Sequence, residues 1–210
     1  MAKVDLSRCR LYAILDLGYV EPPKALEVAS ELLEGGAELL QLRAKGLPPA
    51  EVSELAGELH RLTSQANVPL IINDYPEIAR SIGAEGVHLG QEDVAIAEAR
   101  RVQGMDRIIG QSTHSIAQAQ EAARQGADYI GFGPLFATPT KPNYSPIGLG
   151  DISEVHKLVS LPIFCIGGIN STNLAQVRAA GAQRVVIVSG LLQAPDVKQA
   201  TRLAKAMLVV

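Results

Sequence analysis

Arg43 and Lys45 stand two residues apart in Gln41-Leu42-Arg43-Ala44-Lys45, where an apolar run ends. Two cations so spaced can clamp phosphate oxygens, the guanidinium through paired N–H donors and the ammonium as a point charge. Either one alone could equally be a solvated surface charge. Two acids follow at the ends of later runs: Asp74 closes Ile72-Asn73-Asp74, and Asp93 comes after Val87-His88-Leu89-Gly90-Gln91-Glu92. Such a pair suits Mg2+, which takes one or two carboxylates and completes its shell with water and substrate phosphate. Singly, Asp93 also fits a helix N-cap before Val94–Arg101, and Asp74 a turn or cap residue before Pro76. Neither local reading explains both acids beside a basic segment.

Further along, Gln111-Ser112-Thr113-His114-Ser115 offers the Ser112 and Thr113 hydroxyls to a phosphate, with Ser115 placed to cap the next helix. His114 has general acid/base potential there, weighed against a hydrogen-bonded structural role. His60 and His156 fall on helical stretches and read as surface residues, while His88 reads as packed in its strand. The segment from Ala137 to Pro146 is a polar, proline-rich loop carrying Thr138, Thr140 and Lys141. Glycines follow two more runs, in Ile166-Gly167-Gly168-Ile169-Asn170 and Val188-Ser189-Gly190. Glycines there let backbone N–H groups approach a phosphate. Two anion sites result. One is cationic with a metal and suits a diphosphate; the other is a neutral backbone site and suits a monophosphate.

These residues share one place only if the runs are strands of one sheet. The expected strands are Leu11–Asp16, Leu39–Arg43, Leu70–Asp74, Gly86–Leu89, Arg107–Gln111, Tyr129–Gly133, Ile163–Ile166 and Val185–Ser189. They are short, rich in Ile, Val and Leu, and lack clean alternation, as strands buried on both faces do. Between them, apolar spacings of three and four predict helices at Pro23–Leu33, Glu51–Ser64, Ser115–Arg124, Asn173–Ala180 and Pro195–Leu208. Gly36-Ala37-Glu38, Gly126-Ala127-Asp128 and Gly181-Ala182-Gln183 each end a helical stretch and lead into a strand, so one unit is reused. Eight strand–helix units without a linker point to a single (β/α)8 TIM barrel over residues 1–210. An open doubly wound sheet has fewer strands as a rule, and no Gly-x-Gly-x-x-Gly turn follows the first strand. Barrel chemistry occupies the carboxyl ends of the strands, where the charged, hydroxyl and glycine residues above fall.

Composition sets the outer limits. The 210 residues are 47% hydrophobic and 20% charged, with a formal net charge of −3. No global field attracts nucleic acid or acidic membranes, so any anion site is built locally. The two cysteines, Cys9 and Cys165, form no disulfide framework or zinc motif. No apolar run reaches the roughly 20 residues of a membrane helix, and the N-terminus does not read as a signal peptide. The expectation is a cytoplasmic enzyme acting on small molecules, with no nucleic acid or membrane partner and with a homo-oligomer left open.

The chain resembles the thiamine phosphate synthases and their thiazole tautomerase relatives, nearly end to end. The marks are Tyr12-Ala13-Ile14-Leu15-Asp16, Gln41-Leu42-Arg43-Ala44-Lys45, Ile72-Asn73-Asp74, Val87-His88-Leu89-Gly90-Gln91 with Asp93, Thr138-Pro139-Thr140-Lys141 and Val188-Ser189-Gly190. The resemblance implies that Gln41, Arg43, Lys45, Asn73, Ser112 and Lys141 hold a pyrimidine diphosphate. It implies Asp74 and Asp93 as Mg2+ ligands, and Thr138, Thr140, Gly168, Val188 and Ser189 as the holders of a thiazole phosphate. Arg43, Lys45, Ser112 and Lys141 are the implied catalytic groups, easing departure of diphosphate before the thiazole nitrogen attacks. Leu15, Gln111 and Ala137 depart from the usual pattern, and none of them is an implied ligand. A tautomerase would need the monophosphate site and an acid/base such as His114, but not the charged set. A non-catalytic regulatory barrel would have lost that set.

Overall fold

Apolar runs this short and continuous need cover on both faces. The computed structural model, which describes residues 4–138, 140 and 144–208, supplies it with a closed barrel of eight parallel strands ringed by helices. The strands are β1 (Leu11–Asp16), β2 (Leu39–Arg43), β3 (Leu70–Asn73), β4 (Gly86–Leu89), β5 (Ile108–Thr113), β6 (Tyr129–Phe132), β7 (Ile163–Cys165) and β8 (Val185–Ile187). Each pairs with the next, and β8 closes on β1 with Val185 opposite Leu11. Between successive strands lie α1 (Ala25–Glu34), α2 (Pro49–Gln65), α3 (Pro76–Ile82), α4 (Ile96–Gln103), α5 (Ile116–Arg124), α6 (Ile152–Leu158) and α7 (Leu174–Ala179). A single turn, α8 (Ser189–Leu192), and α9 (Val197–Leu208) follow β8. The fold is a (β/α)8 TIM barrel. No described helix is long and apolar enough to cross a membrane.

Alternation along each strand sorts side chains into two cores. Leu11, Ala13 and Leu15 of β1, Leu40 and Leu42 of β2, and Leu70 and Ile72 of β3 face the helices. Tyr12, Ile14, Leu39, Ile71, Ile108, Tyr129, Phe164 and Val186 fill the barrel interior, with Leu6 and Cys9 packed against them. This parity decides what reaches the mouth. In β2, Gln41 and Arg43 follow Leu39 inward; in β1, Asp16 follows Tyr12 and Ile14.

Helices α1, α3, α5 and α7 end alike. Gly36, Gly83, Gly126 and Gly181 adopt positive φ, and each following alanine N–H reaches the carbonyl five residues back. The sequence repeat thus has a fourth copy, Gly83-Ala84-Glu85, beyond the three visible by inspection. The acids that follow serve the sheet. Glu38 accepts the Leu11 N–H, Glu85 the Leu70 N–H and Asp128 the Ile109 N–H, so each fastens an even-numbered strand to its predecessor.

Several boundaries differ from the sequence expectation. β5 starts at Ile108 and runs to Thr113, two residues past Gln111. β3, β6, β7 and β8 stop earlier than expected, because the chain turns at once toward the mouth. Asp74 leaves β3 at φ 67°, and Ser189 already belongs to α8. α3 and α6, each seven residues long, carry too little periodicity to stand out in the sequence.

Candidate active site

The carboxyl ends of the strands surround a cavity of about 880 Å³, including space open to solvent. From β2 and its following loop come Gln41, Arg43 and Lys45; from the end of β3, Asn73 and Asp74; from beyond β4, Asp93; and from β5, Ser112. Thr138 and Thr140 of the loop after β6, Gly168 beyond β7, and Val188 and Ser189 beyond β8 complete the wall. Every described residue expected at the site therefore meets in one mouth. Lys141 lies outside the described residues.

Register explains the first charge contact. Asp16 and Arg43 are paired across β1 and β2, and an Arg43 Nη donates to Asp16 Oδ2 at 2.7 Å. Asp16 is 1% exposed, so its charge is held inside the barrel rim and aims the guanidinium. Lys45 Nζ approaches Asp74 Oδ2 at 3.3 Å. Burial raises the Asp74 carboxyl above its ordinary pKa, and the neighbouring Asp93 carboxyl raises it further, with Lys45 acting in opposition. Asp93 is not a helix cap: α4 begins only at Ile96, and Asp93 accepts the Gly90 N–H at 2.6 Å, closing the turn after β4. Asp74, in turn, donates its own N–H to the His88 carbonyl, which locks the two acid-bearing turns together.

Two hard carboxylates side by side, one disfavoured in its charged form by the other, fit a small divalent cation. Among the described residues no group of three or more His, Cys, Asp or Glu gathers at one point. Asp74 and Asp93 alone would hold Mg2+, leaving its remaining positions to water and phosphate oxygens.

His88 is more than a packing residue. It faces the interior, with Nδ1 2.9 Å from the Tyr129 hydroxyl and Nε2 2.9 Å from Ser112 Oγ, and it lines the mouth. Sequence reasoning thus missed His88 at the mouth, and Tyr12, Tyr129 and Asp16, which contact the lining residues Gln41, His88 and Arg43 from within the barrel. The signal was strand parity: once Gln41 and Arg43 point inward, residues of matching register on β1, β4 and β6 must do so too. His114 pairs Nδ1 with the Gly133 carbonyl and lies with its ring 4.3 Å from that of Tyr144. It joins the end of β5 to the loop after β6. His60 contacts Glu85 at 3.3 Å, and His156 is half-buried with its pKa lowered by burial and by Arg184, so neither is a plain surface residue. Ser115 caps α5 as expected, accepting the Gln118 N–H.

The opposite wall is built of backbone. Gly168 has φ 66°, and a Cβ there would lie 2.7 Å from Phe136 Cβ and 2.8 Å from the Ala137 carbonyl oxygen. Only glycine lets the turn after β7 pass under the loop after β6. That loop is tied across the mouth by Thr140 Oγ1, 2.8 Å from the Tyr19 hydroxyl beyond β1. Of the three departures from the usual pattern, Leu15 packs toward the helices, while Gln111 donates to the Gly90 carbonyl and braces the turn that carries Asp93.

Residues 11–191 match the family model described as thiamine monophosphate synthase. The chain belongs to that family. It is 42% identical to the thiamine-phosphate synthase of Chloroflexus aurantiacus over 96% of this chain and 93% of that one. It is 43% identical to the enzyme of the same name from Halalkalibacterium halodurans, over 90% of each. Among solved structures, thiamine phosphate pyrophosphorylase from Pyrococcus furiosus superposes with a TM-score of 0.86 at 33% identity, covering 95% of both chains. A 3-hexulose-6-phosphate synthase, 17% identical with a TM-score of 0.70, shares the barrel fold. In this family member the charged wall on β2 to β4 faces the backbone wall on β7 and β8.

Proposed function

We propose that the chain is a thiamine-phosphate synthase, a transferase joining 4-amino-2-methyl-5-hydroxymethylpyrimidine diphosphate to 4-methyl-5-(2-phosphooxyethyl)thiazole. The observation that carries this reading is the division of one mouth into Arg43, Lys45, Asp74 and Asp93 on one wall and the turns after β7 and β8, with Gly167, Gly168, Val188 and Ser189, on the other. A diphosphate suits the first wall and a phosphomonoester the second. The pyrimidine methylene carbon then faces the thiazole between them. The C–O bond to diphosphate breaks first, leaving a pyrimidine-methyl cation, and the thiazole nitrogen supplies the electron pair for the new C–N bond. Charge grows on the departing diphosphate, so cationic groups aimed there lower the barrier. Arg43, fixed by Asp16, and Lys45 are those groups, joined in our proposal by Lys141. Mg2+ held by Asp74 and Asp93 would supply further positive charge to the leaving group. Thr138 and Thr140, on the loop tied to Tyr19, would help exclude water from the cation.

The test is purified protein with both phosphorylated substrates and Mg2+, with thiamine phosphate read as its fluorescent oxidation product. Chelator should abolish coupling and added Mg2+ restore it; full activity in chelator would remove the metal from the reaction. Asp93→Asn and Asp74→Asn should each lower turnover on the order of 10²-fold, as loss of a transition-state charge contact does. Their melting temperatures should stay close to that of the parent.

A further inference from the structure

Two tyrosine hydroxyls meet in the middle of the barrel. Tyr12 and Tyr129 are buried, and their oxygens lie 3.0 Å apart. Gly110 makes this possible, since a Cβ there would overlap the Tyr129 ring. Buried hydroxyls need partners on both sides, and both have them. The Gln41 side-chain N–H donates to the Tyr12 oxygen; the Tyr129 oxygen lies 2.9 Å from His88 Nδ1, and His88 Nε2 lies 2.9 Å from Ser112 Oγ. Five side chains on β2, β1, β6, β4 and β5 thereby form one connected chain. Its two ends, Gln41 and Ser112, line the mouth.

Proton counting gives the chain a direction. An amide nitrogen only donates, and each phenol has a single proton. With Gln41 donating to Tyr12, the Tyr12 O–H is directed to Tyr129, and the Tyr129 O–H to His88 Nδ1. His88 is then neutral with its proton on Nε2, which donates to Ser112 Oγ. Ser112 already accepts a hydrogen bond, and its own proton is left for the mouth. The reverse direction would start from the Gln41 carbonyl and end with Ser112 donating to Nε2, a serine presenting lone pairs to the cavity. A mouth built for phosphate oxygens calls for the first arrangement, and the coupling reaction needs no serine nucleophile.

We propose that Tyr12, Tyr129 and His88 are positioning residues that fix the Ser112 hydroxyl as a hydrogen-bond donor to an anionic oxygen of the pyrimidine diphosphate, acting through a one-way relay started by Gln41. The inference rests on the synthase reading for its substrate. The relay itself is a property of the free protein.

The experiment has two arms. Nitrogen-15 NMR of histidine-labelled full-length protein, with the His88 signals assigned through His88→Gln, should show Nε2 protonated and Nδ1 as a bare acceptor. A proton on Nδ1, alone or together with one on Nε2, overturns the relay. This arm needs no substrate, so it answers even if the coupling assay gives no product, which would count against the synthase reading alone. In the second arm Tyr129→Phe removes the donor to Nδ1 and should relax the His88 tautomer preference. It should lower kcat/KM for the pyrimidine diphosphate about tenfold, the size of one hydrogen bond to a charged group. In a Ser112→Ala background the same change should cost nothing more, because its effect travels through Ser112. An equal loss in both backgrounds, or no loss in either, overturns the proposal. Should Tyr129→Phe not fold, the tautomer of the parent protein still decides.

Discussion

Arg43 shows how one side chain can answer two demands. Its guanidinium donates to Asp16 at 2.7 Å, inside the rim, and Arg43 also lines the wall where Lys45, Asn73 and Asp74 stand. A guanidinium can do both because its five donors diverge from one rigid plane, whereas an ammonium presents three donors from a single point. Arg43→Lys therefore keeps the charge but, on the proposed function, forces a choice between Asp16 and the diphosphate. The expected result is a fall in kcat/KM for the pyrimidine diphosphate of tenfold or more, with the thiazole phosphate KM little changed. Steady-state kinetics with each substrate varied in turn would check this. A lysine variant with parental kinetics would mean that the Asp16 contact has no part in aiming the charge.

At the scale of elements, the barrel is stitched at its amino end by the repeated Gly-Ala-acid unit. Glu38 is the clearest case: it accepts the Arg10 and Leu11 N–H groups and pairs with Lys205 of α9, so β1, β2 and the last helix share one carboxylate. Burial alone would raise the Glu38 pKa. The hydrogen bonds from Lys205 and from the two backbone N–H groups outweigh it, and the folded value falls below the ordinary 4.5. A depressed carboxylate pKa contributes stability that is present above the unfolded value and is lost as pH falls through the folded one. Glu38→Gln should thus cost about 1–2 kcal/mol at pH 7, or roughly 2–8 °C in Tm for a chain of this size. The gap between variant and parent should close below pH 4.5, and thermal melts across that range would show it. The fold was legible because this punctuation and eight apolar runs recur in order. Less legible were the strand ends, since Asp74 and Ser189 turn away from the sheet through backbone angles that residue type does not announce. The acids themselves were visible, while Asp16, Tyr12, Tyr129 and His88 emerge only when register sets one strand beside another.

For the molecule as a whole, the closed barrel brings the two proposed anion sites face to face, and their independence is testable. Lys45 and Gly168 stand on different walls, one beyond β2 and the other beyond β7. Lys45→Ala removes charge from the wall proposed to hold the diphosphate and leaves the turns after β7 and β8 untouched, so the pyrimidine diphosphate KM should rise while that of the thiazole phosphate holds. Gly168→Ala acts on the other side. At φ 66° the new methyl is strained, and it would press on Phe136 and the Ala137 carbonyl, 2.7 and 2.8 Å away. The turn and the overlying loop must separate, which displaces the backbone N–H groups that the proposed function assigns to a monophosphate and loosens the loop that Tyr19 ties down. The thiazole phosphate KM should therefore rise on the order of tenfold, about the cost of one hydrogen bond to a charged group, with a smaller change for the pyrimidine substrate. Because the two effects arise on separate walls, they should add in the double variant. If Gly168→Ala instead raised the pyrimidine KM alone, the assignment of the two walls would be reversed.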